Sequence, residues 1–125
     1  MSLYISVPLI PPSVNHYKTR FRNGNTVVSK EALAFKQEIA LAVHGRFETG
    51  KTFSVEMEIT LGKKQKGDVD NFPKLVLDGL ADCGTFHNYK GKIVSDAHVR
   101  IMRVLVDDYT RPREGKTDIC VEVLR

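Results

Sequence analysis

Asp68 and Asp70 stand two residues apart in the run Asp-Val-Asp-Asn-Phe-Pro-Lys-Leu-Val-Leu-Asp, which covers residues 68–78. Two neighbouring carboxylates repel each other unless a cation sits between them. A basic stretch, Lys63, Lys64 and Lys66, leads into them through Gly67. Carboxylates at the mouth of a cationic surface suit a place where a divalent metal meets phosphate. In an extended segment the two side chains would share one face, because alternate residues point the same way. Mg²⁺ takes few carboxylates, several waters and substrate phosphate oxygens, which matches such an open pair. Lys74 lies four residues after Asp70 and returns to the same face if the segment is helical. An ammonium there can neutralise charge developing on a phosphate; its plain alternative is a surface ion pair with Asp70 contributing ~0.3–0.5 kcal/mol. Asp78, four residues further on, pairs with or orients Lys74, or only solvates a helix face. Asp96 would supply a third carboxylate and complete a metal cage. His87 and His98 are weaker ligand candidates, since a hard cation favours oxygen. The bland reading of Asp-x-Asp-Asn is a helix cap in a turn, with Asp70 or Asn71 as the capping residue. The full twelve-residue calcium-loop pattern is absent: Lys74 falls at its seventh position and no Glu stands at the twelfth.

The elements that must position these residues are legible in the patterning. Residues 3–8 alternate and read as a first strand, stopped by Pro8, Pro11 and Pro12. Residues 13–28 are polar and basic, a loop or loose hairpin that carries Asn15, Lys18, Arg20 and Arg22. Ser29 is a fair N-cap with Glu31 in the first turn, where the helix dipole favours an anion. Ala32, Phe35, Ile39 and Val43 recur at helical spacing, and Gly45 is the stop. Phe53, Val55, Met57 and Ile59 alternate with polar residues in the cleanest strand, 53–60. A short helix follows the acidic run, opened by Pro73, carried by Leu75, Val76, Leu80 and Ala81, and ended by Gly84. Residues 85–92 read as an irregular loop, 97–106 as an imperfect strand, 107–115 as a turn or hairpin loop, and 117–124 as a closing strand. This order predicts an α+β fold: a mixed, mostly antiparallel sheet with two main helices packed on one face.

The chain has 125 residues, enough for one core and one domain spanning 1–125. Hydrophobic residues make up 42%, which fits a globular chain. No apolar run approaches the roughly 20 residues that cross a bilayer, so no membrane partner is expected. The start lacks the features of a signal peptide. Cys83 and Cys120 make neither a disulfide framework nor a zinc motif, which fits a cytoplasmic protein, and Cys83 reads as a small core residue. Net charge is +4 and the pI about 9.1. Residues 1–66 hold 10 Lys/Arg and 5 Glu, while residues 67–125 hold 9 Lys/Arg and 10 acids. All eight Asp residues lie from Asp68 onward. A basic half joined to an acid-bearing half suits a nucleic-acid enzyme better than a passive polyanion binder.

The spacing Asp68-Val69-Asp70-Asn71, then Lys74, then Asp78-Gly79-Leu80 resembles the D-x-D-N-x-x-K-x-x-x-D-x-L signature of RusA-type Holliday junction resolvases. Pro11-Pro12-Ser13-Val14-Asn15 is similar to that family's opening, and Ser29-Lys30-Glu31 with Phe35 to the start of its first helix. The resemblance implies a small homodimeric endonuclease, bacterial or phage-encoded. It implies that Mg²⁺, with Mn²⁺ as a substitute, supports paired symmetric cleavage of branched DNA at four-way junctions. Carried over by position, Asp68, Asp70 and Asp96 are the implied metal carboxylates and Lys74 the catalytic lysine, with Asn71, Asp78 and Asn15 in support. Lys18, Arg20, Arg22, Lys63, Lys64 and Lys66 would hold DNA phosphates. The family has Asp-Asp before its third-carboxylate strand, where this chain has Ser95-Asp96, and the loop ahead of it is longer. A non-catalytic branched-DNA-binding protein is the alternative reading. A glycosyltransferase Asp-x-Asp site is a third, but the chain is too short for the nucleotide-binding domain it needs.

Overall fold

The structure, a computed structural model, describes residues 2–12, 18–20 and 26–125. Strand β1 (Ser2–Val7) is followed by a short antiparallel pair, β2 (Lys18–Arg20) and β3 (Thr26–Val28). Helix α1 (Lys30–Val43) comes next, then β4 (Glu48–Thr49) and β5 (Phe53–Thr60). A 3₁₀ turn (Val69–Asn71) opens helix α2 (Pro73–Asp82). Strand β6 (Phe86–His87), a second 3₁₀ turn (Asp96–His98), β7 (Val99–Asp107) and β8 (Lys116–Val123) complete the chain. Among the described residues no helix is long and apolar enough to cross a membrane.

The main sheet has the order β1-β8-β5-β7, with β8 antiparallel to both β1 and β5 and β7 parallel to β5. The expected mixed, mostly antiparallel sheet is therefore present, but the late hairpin is not. β8 inserts between β1 and β5, and β7 lies on the far side of β5. Burial explains the order. Phe53, Ser54, Val55, Met57, Ile59 and Thr60 of β5 are all buried, so this strand needs a neighbour on each side. Strand β7 exposes Arg100, Ile101, Met102, Arg103 and Leu105, a pattern an edge strand tolerates. Parallel pairing of β5 with β7 requires a crossover, and α2 provides it.

Leu3, Ile5, Val7, Val55, Met57, Ile59, Ile119 and Val121 cover one face of the sheet, and the buried sides of α1 and α2 join them in the core. Tyr4, Glu56, Glu58 and Leu105 stand on the face the helices leave open. Ser29 caps α1 as expected: its Oγ accepts from Ala32 N at 3.2 Å. Ala32, Phe35, Ile39 and Val43 form the buried stripe, and burial of the three larger side chains contributes ~1.5–3 kcal/mol each. The helix stops at His44 in the left-handed region (φ 51°), one residue before Gly45.

Candidate functional site

The basic loop after β5 is built by residues distant in sequence. Leu61 N donates to Asp107 O at 2.9 Å, and Lys63 N to Pro112 O at 3.0 Å. Inside the loop, Gln65 Oε1 accepts from Gly62 N at 2.7 Å. Arg111 Nη1 donates to Gly62 O at 2.9 Å and to Gln65 O at 2.6 Å. The backbone is thus pinned while Lys63, Lys64 and Lys66 point to solvent. Among the described residues no carboxylate pairs with them. Arg111 is an organising residue that sequence reading missed, because nothing local links it to a loop some 46 residues earlier. Lys18 and Arg20 fall in β2, and Arg22 and Asn15 lie outside the described residues.

Asp68 is extended (φ −100°, ψ 161°), and the chain then tightens into the Val69–Asn71 turn, closed by Asn71 N donating to Asp68 O at 2.9 Å. The expected strand-like segment is thus replaced by a 3₁₀ turn at Asp70. The alternate-residue argument for a shared face fails there, because a 3₁₀ turn rotates about 120° per residue. The expected capping by Asp70 or Asn71 is also corrected. The N-cap of α2 is Phe72, with Pro73 in the first helical position and no side-chain cap bond. A proline needs no partner for a missing N–H, and the buried Phe72 ring anchors the helix start by packing instead. The carboxylates of Asp68 and Asp70 are exposed, and neither has a hydrogen-bond or ion-pair partner among the described residues. Both stand just before the N-terminus of α2, where the helix dipole favours negative charge. Asn71 is half-buried. The ion-pair partner of Lys74 is Asp78, at 3.9 Å one turn along α2, and not Asp70.

Asp96 opens a 3₁₀ turn rather than the strand itself. Ser95 Oγ accepts from Ala97 N at 3.2 Å, and Arg100 Nη1 donates to Ala97 O, so the turn is held from both sides. His98 Nδ1 lies 3.3 Å from Lys51 O. This turn packs against α2, while the Val69–Asn71 turn packs against β7, so both acid-bearing turns rest on the α2–β7 unit. They do not close on a common point. Among the described residues no three His, Cys, Asp or Glu side chains form a group able to hold one metal ion.

The His87 ring stacks on Phe47 with centroids 3.9 Å apart and planes 10° from parallel. Cys83 is half-buried against the core, with its Sγ 3.3 Å from Thr85 Oγ1. A shallow groove on the open face of the sheet is lined by Tyr4, Glu56, Arg103, Leu105 and Cys120. There, burial pushes the Cys120 thiol above its ordinary pKa, and the hydrogen bond with Cys120 raises Tyr4. None of these groups belongs to the acid-bearing turns. No protein-family model matches this chain, and no curated protein matches it.

Proposed function

We propose that this chain is a Mg²⁺-dependent, structure-selective endonuclease that resolves four-way DNA junctions by paired phosphodiester cleavage. One observation carries the reading. Two exposed carboxylates without protein partners, Asp68 and Asp70, head α2 beside Lys74 and follow directly on a pinned loop of three solvent-facing lysines. The donor set is all oxygen and open to water, which fits a hard divalent cation that keeps part of its hydration. Asp68 and Asp70 would hold it, with Asp96 joining as the third carboxylate only if the two turns close on the ion. When bound, Mg²⁺ (or Mn²⁺) supplies charge neutralisation at a scissile phosphate and an acidified water. Lys74, oriented by Asp78, offsets negative charge developing on the phosphate. Lys63, Lys64 and Lys66 seat backbone phosphates, so affinity falls steeply with salt. Asn71 supports the turn.

The reading includes a homodimer, since two-fold symmetry matches paired cleavage of opposed strands. The free edge of β7 supports it. This nine-residue strand pairs only with β5 among the described residues, and it exposes Ile101, Met102 and Leu105. A long edge left bare offers unpaired backbone groups to another chain. A second reading is a branched-DNA-binding protein without hydrolysis, for which the pinned loop of exposed lysines alone suffices.

The test is Asp70→Asn assayed on labelled junctions. The variant is expected to bind as wild type in EDTA and to lose nicking in Mg²⁺. Normal nicking by Asp70→Asn would remove the metal assignment. Binding without nicking by the wild-type protein would establish the second reading.

A further inference from the structure

Residues 85–92, expected as an irregular loop, instead form a tightly ordered turn in the stretch ahead of Asp96. Asn88 Oδ1 accepts from Lys90 N at 2.9 Å and from Lys92 N at 3.0 Å. Asn88 N donates to Lys92 O at 2.8 Å, and Gly91 N to Asn88 O at 3.0 Å. Gly91 takes φ +77°, a conformation glycine adopts without steric cost. The base of the turn is equally fixed. His87 bridges Ile93, Val94 N donates to Phe86 O at 2.9 Å, and β6 pairs in parallel with β4. The Phe47–His87 ring stack lies against this base.

All this order presents side chains that the protein itself does not use. Tyr89 is 64% exposed and Phe47 52% exposed. Lys90 and Lys92 are also exposed, and none of Tyr89, Lys90 and Lys92 has a side-chain partner among the described residues. Across 44–51 and 85–95 there are four cations (Arg46, Lys51, Lys90, Lys92) against one anion, Glu48, a local charge of +3. A flat ring beside two unpaired ammonium groups, with the partly open Phe47 ring nearby, matches a nucleobase and its flanking phosphates. Protein interfaces are depleted in lysine, which argues against a protein partner. Anionic membranes are recognised by basic clusters beside a membrane-spanning helix or on an amphipathic helix, whereas these four cations lie on a turn and a neighbouring loop.

We propose that the Asn88–Lys92 turn, with the Phe47 ring, is a docking site for an unpaired stretch of nucleic acid. Tyr89 stacks on a base and Lys90 and Lys92 engage the phosphates on either side. The inference rests on the reading of the chain as a branched-DNA enzyme, because the turn runs through Val94 and Ser95 straight into Asp96. It would bring the single-stranded part of an opened branch point beside the acidic turns. The pre-ordered backbone means that little loop entropy is lost on binding.

The experiment is fluorescence anisotropy in EDTA with a labelled oligothymidylate and a matched duplex, titrated with wild type, Tyr89→Ala, Tyr89→Phe and a Lys90→Ala/Lys92→Ala double variant. Tyr89→Ala is expected to weaken single-strand binding about fivefold or more, the effect of losing one stacked base. Tyr89→Phe should stay within about twofold of wild type, and duplex affinity should change little. The double lysine variant should lower the slope of log affinity against log salt by about 1.4 on single strands. Unchanged single-strand affinity in Tyr89→Ala, or an equal loss in Tyr89→Phe, overturns the proposal. The two readings fail separately. A wild-type protein that nicks junctions in Mg²⁺ with no Tyr89-dependent single-strand affinity refutes only this site. Tyr89-dependent affinity without nicking supports the site and refutes only the hydrolase.

Discussion

Gly67→Ala tests whether packing over the acidic run is what sets its shape. Gly67 has an ordinary backbone, so alanine there would normally stabilise by ~0.4–1 kcal/mol through the unfolded state. The contact geometry reverses that sign. A Cβ at residue 67 would lie 2.7 and 2.8 Å from Cε2 and Cε1 of Phe72, and closer still to Cζ. Carbon atoms in contact sit at ~3.5–4.0 Å, so an overlap of roughly 0.8 Å or more must be relieved. Phe72 is 1% exposed and part of the core, so its ring has no open space to enter. Over-packing of this kind costs ~1–3 kcal/mol, leaving a net loss of about 1–2 kcal/mol after the entropic gain. Gly79→Ala is the internal control. Its Cβ crowds only one atom, the terminal Cδ1 of the buried Ile39 at 2.7 Å, and a helix-propensity gain of ~1 kcal/mol offsets that contact. Urea unfolding followed by far-ultraviolet circular dichroism should show the midpoint of Gly67→Ala lowered by roughly 0.5–1 M and that of Gly79→Ala nearly unchanged. Because Phe72 is the N-cap of α2 and closes the turn that carries Asp70, Mg²⁺-dependent nicking should fall in the first variant and persist in the second. A Gly67→Ala protein as stable as wild type would refute the argument that the Phe72 ring fixes the turn.

Two further substitutions separate site chemistry from stability. Lys74→Met should change unfolding free energy by less than ~0.5 kcal/mol, since its pair with Asp78 is long and its ammonium is exposed. Junction nicking should fall about 100-fold or more while junction affinity in EDTA holds, and wild-type nicking would take Lys74 out of the site. Asp107 is the residue for a pH test. The Thr110 hydroxyl, at 2.5 Å, and the backbone N–H groups of Tyr109 and Thr110 hold its carboxyl below the usual range. A depressed folded pKa means stability that is present above the unfolded value of about 3.9 and is lost as pH falls through the folded value. Asp107→Asn should therefore be less stable than wild type at pH 6, and the gap in urea midpoints should narrow below about pH 4. A gap independent of pH would show that the carboxylate charge is not what those donors stabilise.

Local rules account for much of what was legible. The alternation in 53–60 coincides with β5, and the Ser29 cap with the Ala32, Phe35, Ile39 and Val43 stripe coincides with α1, because one strand or helix face and one cap are properties of consecutive residues. The cap of α2 escaped the same reasoning. Asp70 and Asn71 are ordinary capping residues, but the aromatic ring of Phe72 found a place in the core and took the position. The 88–92 turn was read as irregular because its order comes from one asparagine side chain and from pairing with β4, about forty residues away.

Amino-acid order alone determined the periodic elements, the helix-starting serine, the acid-and-lysine spacing at 68–78 and the imbalance of charge between the two halves. These depend on neighbours along the chain and on residue chemistry. Folding in three dimensions decided that β8 lies between β1 and β5 and that Arg111 pins the lysine loop. It also decided that Asp96 sits on a turn packed against α2, without closing a cage with Asp68 and Asp70. Strand order and side-chain convergence are set by which buried surfaces fit one another across long sequence separations. No local pattern encodes that fit.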